Sequence, residues 1–459
     1  MLSYLRKKMK TIMIIVAVLF AATMFYGLGY RGIKGMKEGP QKGSIATVNG
    51  KEIDHGRYQQ ILNRLFTQEK GRVKPEQAMT YQVMALEQVI DFTLLLNEAK
   101  RNFRVGRGEL EQAIVQIMQA NKIPDKGVLR NALKNSGMDM AVFEKTIREE
   151  ILVSKMMNRI RSGVSITPDD LREVKASHIL IVPKALDDKS VFEARVKAEE
   201  ILQRIKKGES FAALAMKYSD DPVSGKNGGE LGYFTTGRMI PEFERVVFSM
   251  KPGDMSDVVK TSYGFHIIRV EDTRLRKVKE KGKDINEQVL AEKQDTEYRK
   301  WLYTMRGKVK IEIIDPILRA HAMLLSGKLN EAVAAYNQAS VDNPYNPYVH
   351  LFLGNAYDKA GNNELAMLEY RKATEYSGAD PSLLMAVADQ YMGMKKSSLA
   401  LEQYRKASLI AGDAKEIHEE LMSVFKKLGY SLDAAKEQTE INRIEKKEKF
   451  EKEIQEKMK

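Results

Sequence analysis

The chain has 459 residues, a formal net charge of +13 and no cysteine. Its length exceeds what one hydrophobic core usually accommodates, so several domains are expected, and a hydrophobic share of 43% beside 30% charge describes folded domains rather than a disordered chain. The missing cysteines exclude disulfides, thiolate metal sites, cysteine nucleophiles and a lipid-modified N-terminal cysteine, and lysine and arginine interleaved with glutamate make the basic balance a poor argument for nucleic acid.

Arg6, Lys7, Lys8 and Lys10 precede an uncharged run, TIMIIVAVLFAATMFYGLGY, at 11–30. A helix of roughly 20 apolar residues crosses a bilayer core of roughly 30 Å. A cleavable signal has a shorter apolar region and a small-x-small site, whereas this run continues through Tyr26, Leu28 and Tyr30. It reads as an uncleaved single-pass anchor, with a cleaved signal as the competing reading. The basic flank puts 1–10 in the cytoplasm and the bulk of the chain beyond the cytoplasmic membrane, facing the periplasm or cell exterior.

A Gly/Lys-rich linker (31–43) leads into SIATVNGKEID, an alternating strand that turns at Asn49-Gly50. The pattern then becomes helical up to 165. Met79, Val83, Leu86, Ile90 and Leu94 share one face, as do Leu110, Ile114 and Ile117, and again Phe143, Ile147 and Ile151. At 174 the period changes. Residues 174–183 and 264–270 alternate as strands, and 191–205 and 211–218 read as helices. GGELGYFTTGRM (228–239) supplies a turn and a third strand, and PEFERVVFSM (241–250) opens with proline at a helix start. This is an α+β unit. Residues 285–306 return to helix, and KVKIEII (308–314) forms one more strand, whose natural partner is the strand at 44–48. That pairing makes the helical domain discontinuous, with the α+β unit inserted into it.

From 316 a 34-residue step appears. Ala332, Ala366, Ala400 and Ala434 keep it, as do Tyr336, Tyr370 and Tyr404, and Ala339, Ala373 and Ala407; Leu353-Gly354 precedes Tyr357 as the tetratricopeptide pattern requires. Such a solenoid offers a concave surface for a peptide or partner protein. The last residues, 443–459, read as a charged helix or frayed tail.

Two of the six histidines lie in the alternating strands, His178 in ASHILI and His266 in GFHIIRV. Ala176, His178 and Leu180 face one side of their strand, and His266 and Ile268 share one side of theirs. On adjacent strands the two rings could hydrogen-bond and leave a neutral floor beneath a pocket; taken singly, each is also explained as a satisfied structural histidine. No HxxxH or HExxH set exists, so neither metal nor cofactor is expected.

The run from ASHILI through FAALAMKYSDDPVSGKNGGELGYF and PEFERVVF to YGFHIIRVED resembles a parvulin, the small peptidyl-prolyl cis/trans isomerase domain, over 174–272. Upstream, IATVNGKEI and QVIDFTLLLNEAK resemble the helical chaperone domain of SurA- and PrsA-type foldases and of membrane-anchored PpiD-type proteins. The resemblance implies catalytic roles for His178, Asp221 and His266. It implies an apolar proline pocket of Leu231, Met239 and Phe243, with Phe234 close behind and Tyr263 at a position that is serine in phosphate-directed members. VPKALDDK, after His178, is mixed in charge, so recognition of phosphorylated substrates is not implied.

The fold class expected is therefore multidomain: an N-terminal transmembrane helix (11–30), a mostly α chaperone domain (44–172, completed by 274–315), an α+β parvulin domain (173–272), an all-α tetratricopeptide solenoid (316–442) and a charged tail. The function expected is prolyl isomerisation and chaperoning of unfolded or partly folded exported proteins with X-Pro bonds, outside the cytoplasmic membrane, with no nucleic acid. Alternatives are a non-catalytic holdase or assembly scaffold, and an adaptor working through the repeats alone.

Overall fold

The computed structural model describes residues 44–68, 73–185, 187–277 and 284–457. The apolar run at 11–30 lies outside the described residues, among which no helix is long and apolar enough to cross a membrane. The chain divides into two compact units, Met157–Trp301 and the residues flanking it on both sides.

In the flanking unit, strands β1 (Ala46–Val48) and β2 (Lys51–Glu52) are joined by Asn49 and Gly50, both at positive φ, the geometry of a tight hairpin turn. Strand β7 (Ile311–Ile313) pairs antiparallel with β1, so a short sheet of order β2-β1-β7 is closed by a segment from beyond the other unit. Helix α1 (His55–Thr67) starts where the Asp54 carboxylate accepts the Arg57 N–H. Helix α2 (Pro75–Asn102) has proline at its first position, where no N–H is needed, and buries Met79, Val83, Leu86, Ile90 and Leu94. Arg306 ties back to this helix through Asp91. Helices α3 (Arg107–Ala120), α4 (Lys126–Asn135) and α5 (Met140–Ser162) enclose a second apolar cluster of Leu110, Ile114, Leu129, Leu133, Phe143 and Ile147.

The repeats lie within this same unit. They comprise four helix pairs: α10 (Pro316–Leu325) with α11 (Leu329–Asp342), α12 (Pro347–Lys359) with α13 (Asn363–Glu375), α14 (Pro381–Gly393) with α15 (Ser397–Ile410), and α16 (Lys415–Leu428) with α17 (Ser431–Lys457). The periodic alanines and tyrosines are buried between the paired helices. Helix α17 continues beyond the last repeat to Lys457.

The unit Met157–Trp301 is built on an antiparallel sheet of β3 (Arg172–Ile181), β4 (Glu230–Phe234), β5 (Val259–Thr261) and β6 (Gly264–Leu275), in the order β4-β3-β6-β5. Alternation sends Ile179, Ile181, Phe265 and Ile267 to one face, where α6 (Asp188–Lys206) and α7 (Phe211–Tyr218) cover them. Val174, Ala176, Ile268 and Val270 go to the other, under α8 (Pro241–Val247). Helix α9 (Ile285–Arg306) carries Lys293, whose ammonium lies 2.7 Å from the buried carboxylate of Asp170. Asp170 also accepts from Thr236 and from the backbone and hydroxyl of Thr167. Those bonds hold its pKa down to about 2 although burial pulls it upward.

Candidate active site

His178 and His266 project from β3 and β6 on the face covered by α8. They are not directly opposite: His178 pairs with Ile268 and Leu180 with His266, so the rings are diagonal neighbours on one face. Both are buried, at 6% and 4% exposure. Their Nδ1 atoms lie 3.1 Å apart and the rings stack at 22°.

Each histidine is held from behind by a turn. His178 Nε2 lies 2.9 Å from Asp221 Oδ2 and 3.0 Å from Ser224 Oγ, and the Ser224 hydroxyl donates to the same carboxylate. His266 Nε2 lies 2.8 Å from Thr261 Oγ1, which accepts the Tyr263 N–H at 3.1 Å. These contacts form one continuous chain, Thr261–His266–His178–Asp221. Burial, together with the neighbouring His178, pushes the His266 pKa down to about 4. Burial would raise Asp221, but bonds from Ser224 and His178 hold it at about 2. At neutral pH His266 is therefore a neutral ring and Asp221 a carboxylate.

Two glycines allow the strands to meet this closely. A Cβ on Gly229, at φ +86°, would stand 2.3 Å from the His178 carbonyl oxygen, and one on Gly264, at φ +136°, would stand 2.4 Å from that of Ile181.

Above the rings lies an aromatic wall. The Phe243 ring meets both imidazoles edge-on, at centroid distances of 5.8 Å to His178 and 5.5 Å to His266. Phe243 is buried; Leu231 and Met239 are half-buried and pack on the same cluster. Phe234 lies behind Phe243 at 6.4 Å. The Met239 loop is fastened by Glu244, whose carboxylate accepts the N–H groups of Arg238 and Met239 at 2.8 and 2.9 Å. Tyr263 stands apart, 63% exposed at the β5–β6 turn, and reaches the site only through its backbone bond to Thr261. Thus His178, Asp221, His266, Leu231, Met239 and Phe243 come together, Phe234 buttresses them and the Tyr263 side chain points to solvent. Ser224 and Thr261 were not singled out from the sequence. The available signals were a serine three residues after Asp221 and a threonine just before the turn that leads into the His266 strand.

The arrangement has an apolar wall, a polar floor of two imidazoles and a partly exposed carboxylate beside it. It offers no activated nucleophile, but it suits a planar, uncharged group that must lose water and twist.

Comparison with known proteins agrees with this chemistry. Residues 160–274 match the PPIC-type PPIase domain, 1–157 the SurA-like N-terminal domain and 320–361 the TPR repeat. The chain is 34% identical over 271 residues to the foldase protein PrsA of Caldanaerobacter subterraneus, covering 55% of this chain and 81% of that one. It is 35% identical to PrsA of Geobacillus kaustophilus, over 42% of this chain and 68% of the relative. It is 31% identical to the chaperone SurA of Nitrosococcus oceani, over 41% and 48%.

Proposed function

The chain belongs to the PrsA foldase family and is a peptidyl-prolyl cis/trans isomerase and chaperone, and we propose that its catalysis runs through the floor formed by His178 and His266. The observation that carries this reading is the unbroken hydrogen-bond chain Thr261–His266–His178–Asp221 beneath the Phe243 wall.

Rotation about an X-Pro bond breaks no covalent bond and needs no cofactor. Its barrier is roughly 18–20 kcal/mol because the planar amide is conjugated, and the uncatalysed step takes tens of seconds or more. Leu231, Met239 and Phe243 grip the proline ring and exclude water from its amide. The planar amide is more polar than the twisted one, so desolvation favours the twisted state. The Asp221 carboxylate, beside the floor, acts on the turning carbonyl through its field. His266 is uncharged in the floor, and His178 fixes Asp221 in place. Phe234 holds Phe243 from behind, and Tyr263 contributes through its backbone to Thr261. Met239→Ala separates pocket from floor: in a protease-coupled assay with an X-Pro peptide, kcat/KM falls about tenfold while the domain stays folded by circular dichroism. Unchanged kcat/KM would remove Met239 from the pocket.

The remaining assignments follow the pattern of the chain. Segments 44–172 and 274–315 form the chaperone domain around the isomerase at 173–272, and unfolded proteins bearing X-Pro bonds are its clients. The basic flank and apolar run at 11–30 support a single-pass anchor in the cytoplasmic membrane, with the folded units outside it. Protease added to intact spheroplasts would then cleave the folded units, and their protection would refute the orientation.

A further inference from the structure

Three polar side chains stand at the same position of three successive repeats: His321 on α10, Asn355 on α12 and Asp389 on α14. Each is held by the hydroxyl of the buried tyrosine of its own repeat. Tyr336 bonds His321 Nδ1 at 2.8 Å, Tyr370 bonds Asn355 Oδ1 at 2.9 Å and Tyr404 bonds Asp389 Oδ1 at 2.6 Å. Helix α12 packs against α14 and the His321 ring of α10 meets Phe352 of α12 at 5.8 Å, so these positions form a ladder along the first helices of the repeats.

Every rung ends at the start of helix α2, on Thr80, on Glu76 or on Lys74 just before it. His321 Nε2 lies 3.4 Å from Thr80 Oγ1, Asn355 Nδ2 donates to Glu76 Oε1 at 3.0 Å, and Asp389 Oδ2 lies 2.6 Å from Lys74 Nζ. Gln390 adds a second bond to the Glu76 oxygen at 3.3 Å. The rungs climb the repeats while their partners descend α2, as two crossing ridges require. Between them, Met79, Val83 and Leu86 of α2 share one apolar cluster with Leu318, Tyr336 and Phe352 of the repeats. The tyrosine period that packs the array thus also aims a set of matched groups: hydroxyl to imidazole, carboxylate to amide, ammonium to carboxylate.

We propose that the concave face of the repeats is a dedicated binding site for the first turns of α2, so that the array braces the helical domain of its own chain instead of standing open as a receptor for a second protein. The inference is independent of the isomerase assignment, since none of these residues lies in Met157–Trp301.

Hydrogen exchange of the full chain, read at the amides of 75–86, tests it, with X-Pro isomerase activity as a control that stays constant. Lys74→Glu speeds exchange about threefold by placing a carboxylate against Asp389, while Lys74→Arg, which keeps the charge, leaves it at the wild-type rate. Asn355→Ala, which strips the Glu76 carboxylate of its amide partner, speeds it about tenfold. A labelled synthetic peptide of residues 73–87 fails to bind the wild-type chain, because its site is filled. Exchange unaffected by Lys74→Glu and Asn355→Ala, or sped as much by Lys74→Arg as by Lys74→Glu, would overturn the ladder. Saturable binding of the peptide to the wild-type chain would show an open groove and overturn the brace.

Discussion

Two buried histidines, His266 in the isomerase unit and His350 in the repeats, meet opposite partner sets. In the isomerase unit, His266 faces His178 Nδ1 on one side and the Thr261 hydroxyl on the other. Both partners complement a neutral ring, and burial, with His178 nearby, holds its pKa down to about 4. In the repeats, His350 presents Nδ1 to Glu369 at 2.6 Å and Nε2 to the Pro344 carbonyl at 2.8 Å. Two acceptors demand two donors, so the imidazolium is the form that satisfies them. Burial alone would lower the pKa of His350, but the bonds to Glu369 and Pro344 raise it. His418 repeats this geometry two periods on, with Glu437 and the Gly412 carbonyl. Burial therefore does not decide a histidine's charge; the atoms facing its two nitrogens do. A neutral His266 helps floor a pocket for an uncharged amide, and an ionic pair of His350 with Glu369 pins two helices together.

The largest expected break in this contrast comes from His178→Ala. It leaves Asp221 without its ring partner and opens the floor under Phe243, and isomerase activity should fall about 100-fold, or about 2.7 kcal/mol of transition-state stabilisation, with the circular dichroism spectrum unchanged. Asp170→Ala separates stability from catalysis within the same unit. Thr236 and Lys293 lose their acceptor, so unfolding of that unit should become easier by about 2–3 kcal/mol, read from denaturant midpoints, while kcat of the folded protein holds.

Acid sharpens the comparison less drastically. His266 is lowered from its ordinary 6.5 to about 4, so the unfolded chain takes up its proton first. The isomerase unit should lose stability progressively as pH falls from 6.5 towards 4, with no further change from this group below that, and activity should persist until His266 itself titrates near 4. Asp221 and Asp170, both lowered to about 2, should withdraw their contributions only as pH falls below the ordinary carboxylate range. The smallest effect lies at the alkaline end. The raised pKa of His350 gives a contribution fully present below pH 6.5 and lost as pH rises through the folded value. The melting temperature of the repeat-containing unit should decline on that limb, and His350→Gln should flatten it.

Much of this organisation was legible as periodicity. Alternation places His178 with Ala176 and His266 with Ile268, and the structure puts all four on the α8 face of the sheet. The 34-residue step identified the residues buried between repeat helices. What stayed hidden depends on geometry that no period encodes. The diagonal offset of the two rings follows from the β3–β6 register, which shifts at Lys175/Ala176. Ser224 and Thr261 sit in turns, where hydroxyls usually serve the local backbone, so their aim at the ring nitrogens appears only once the strands pair. Asp170 looks like a helix-start carboxylate and becomes a hub only because α9 returns Lys293 to it. The ladder from His321, Asn355 and Asp389 to α2 joins residues far apart in the chain, and its three rungs differ in chemistry, so no repeat consensus announces them.

Alanine substitutions at His178 and His266, singly and together, test the shared floor most directly through the proline-limited refolding rate of a reporter protein. If the rings act as one hydrogen-bonded unit, the double variant loses little more activity than His178→Ala alone. Losses that multiply, or acceleration that survives both substitutions, would contradict it and leave the histidines as independent packing residues.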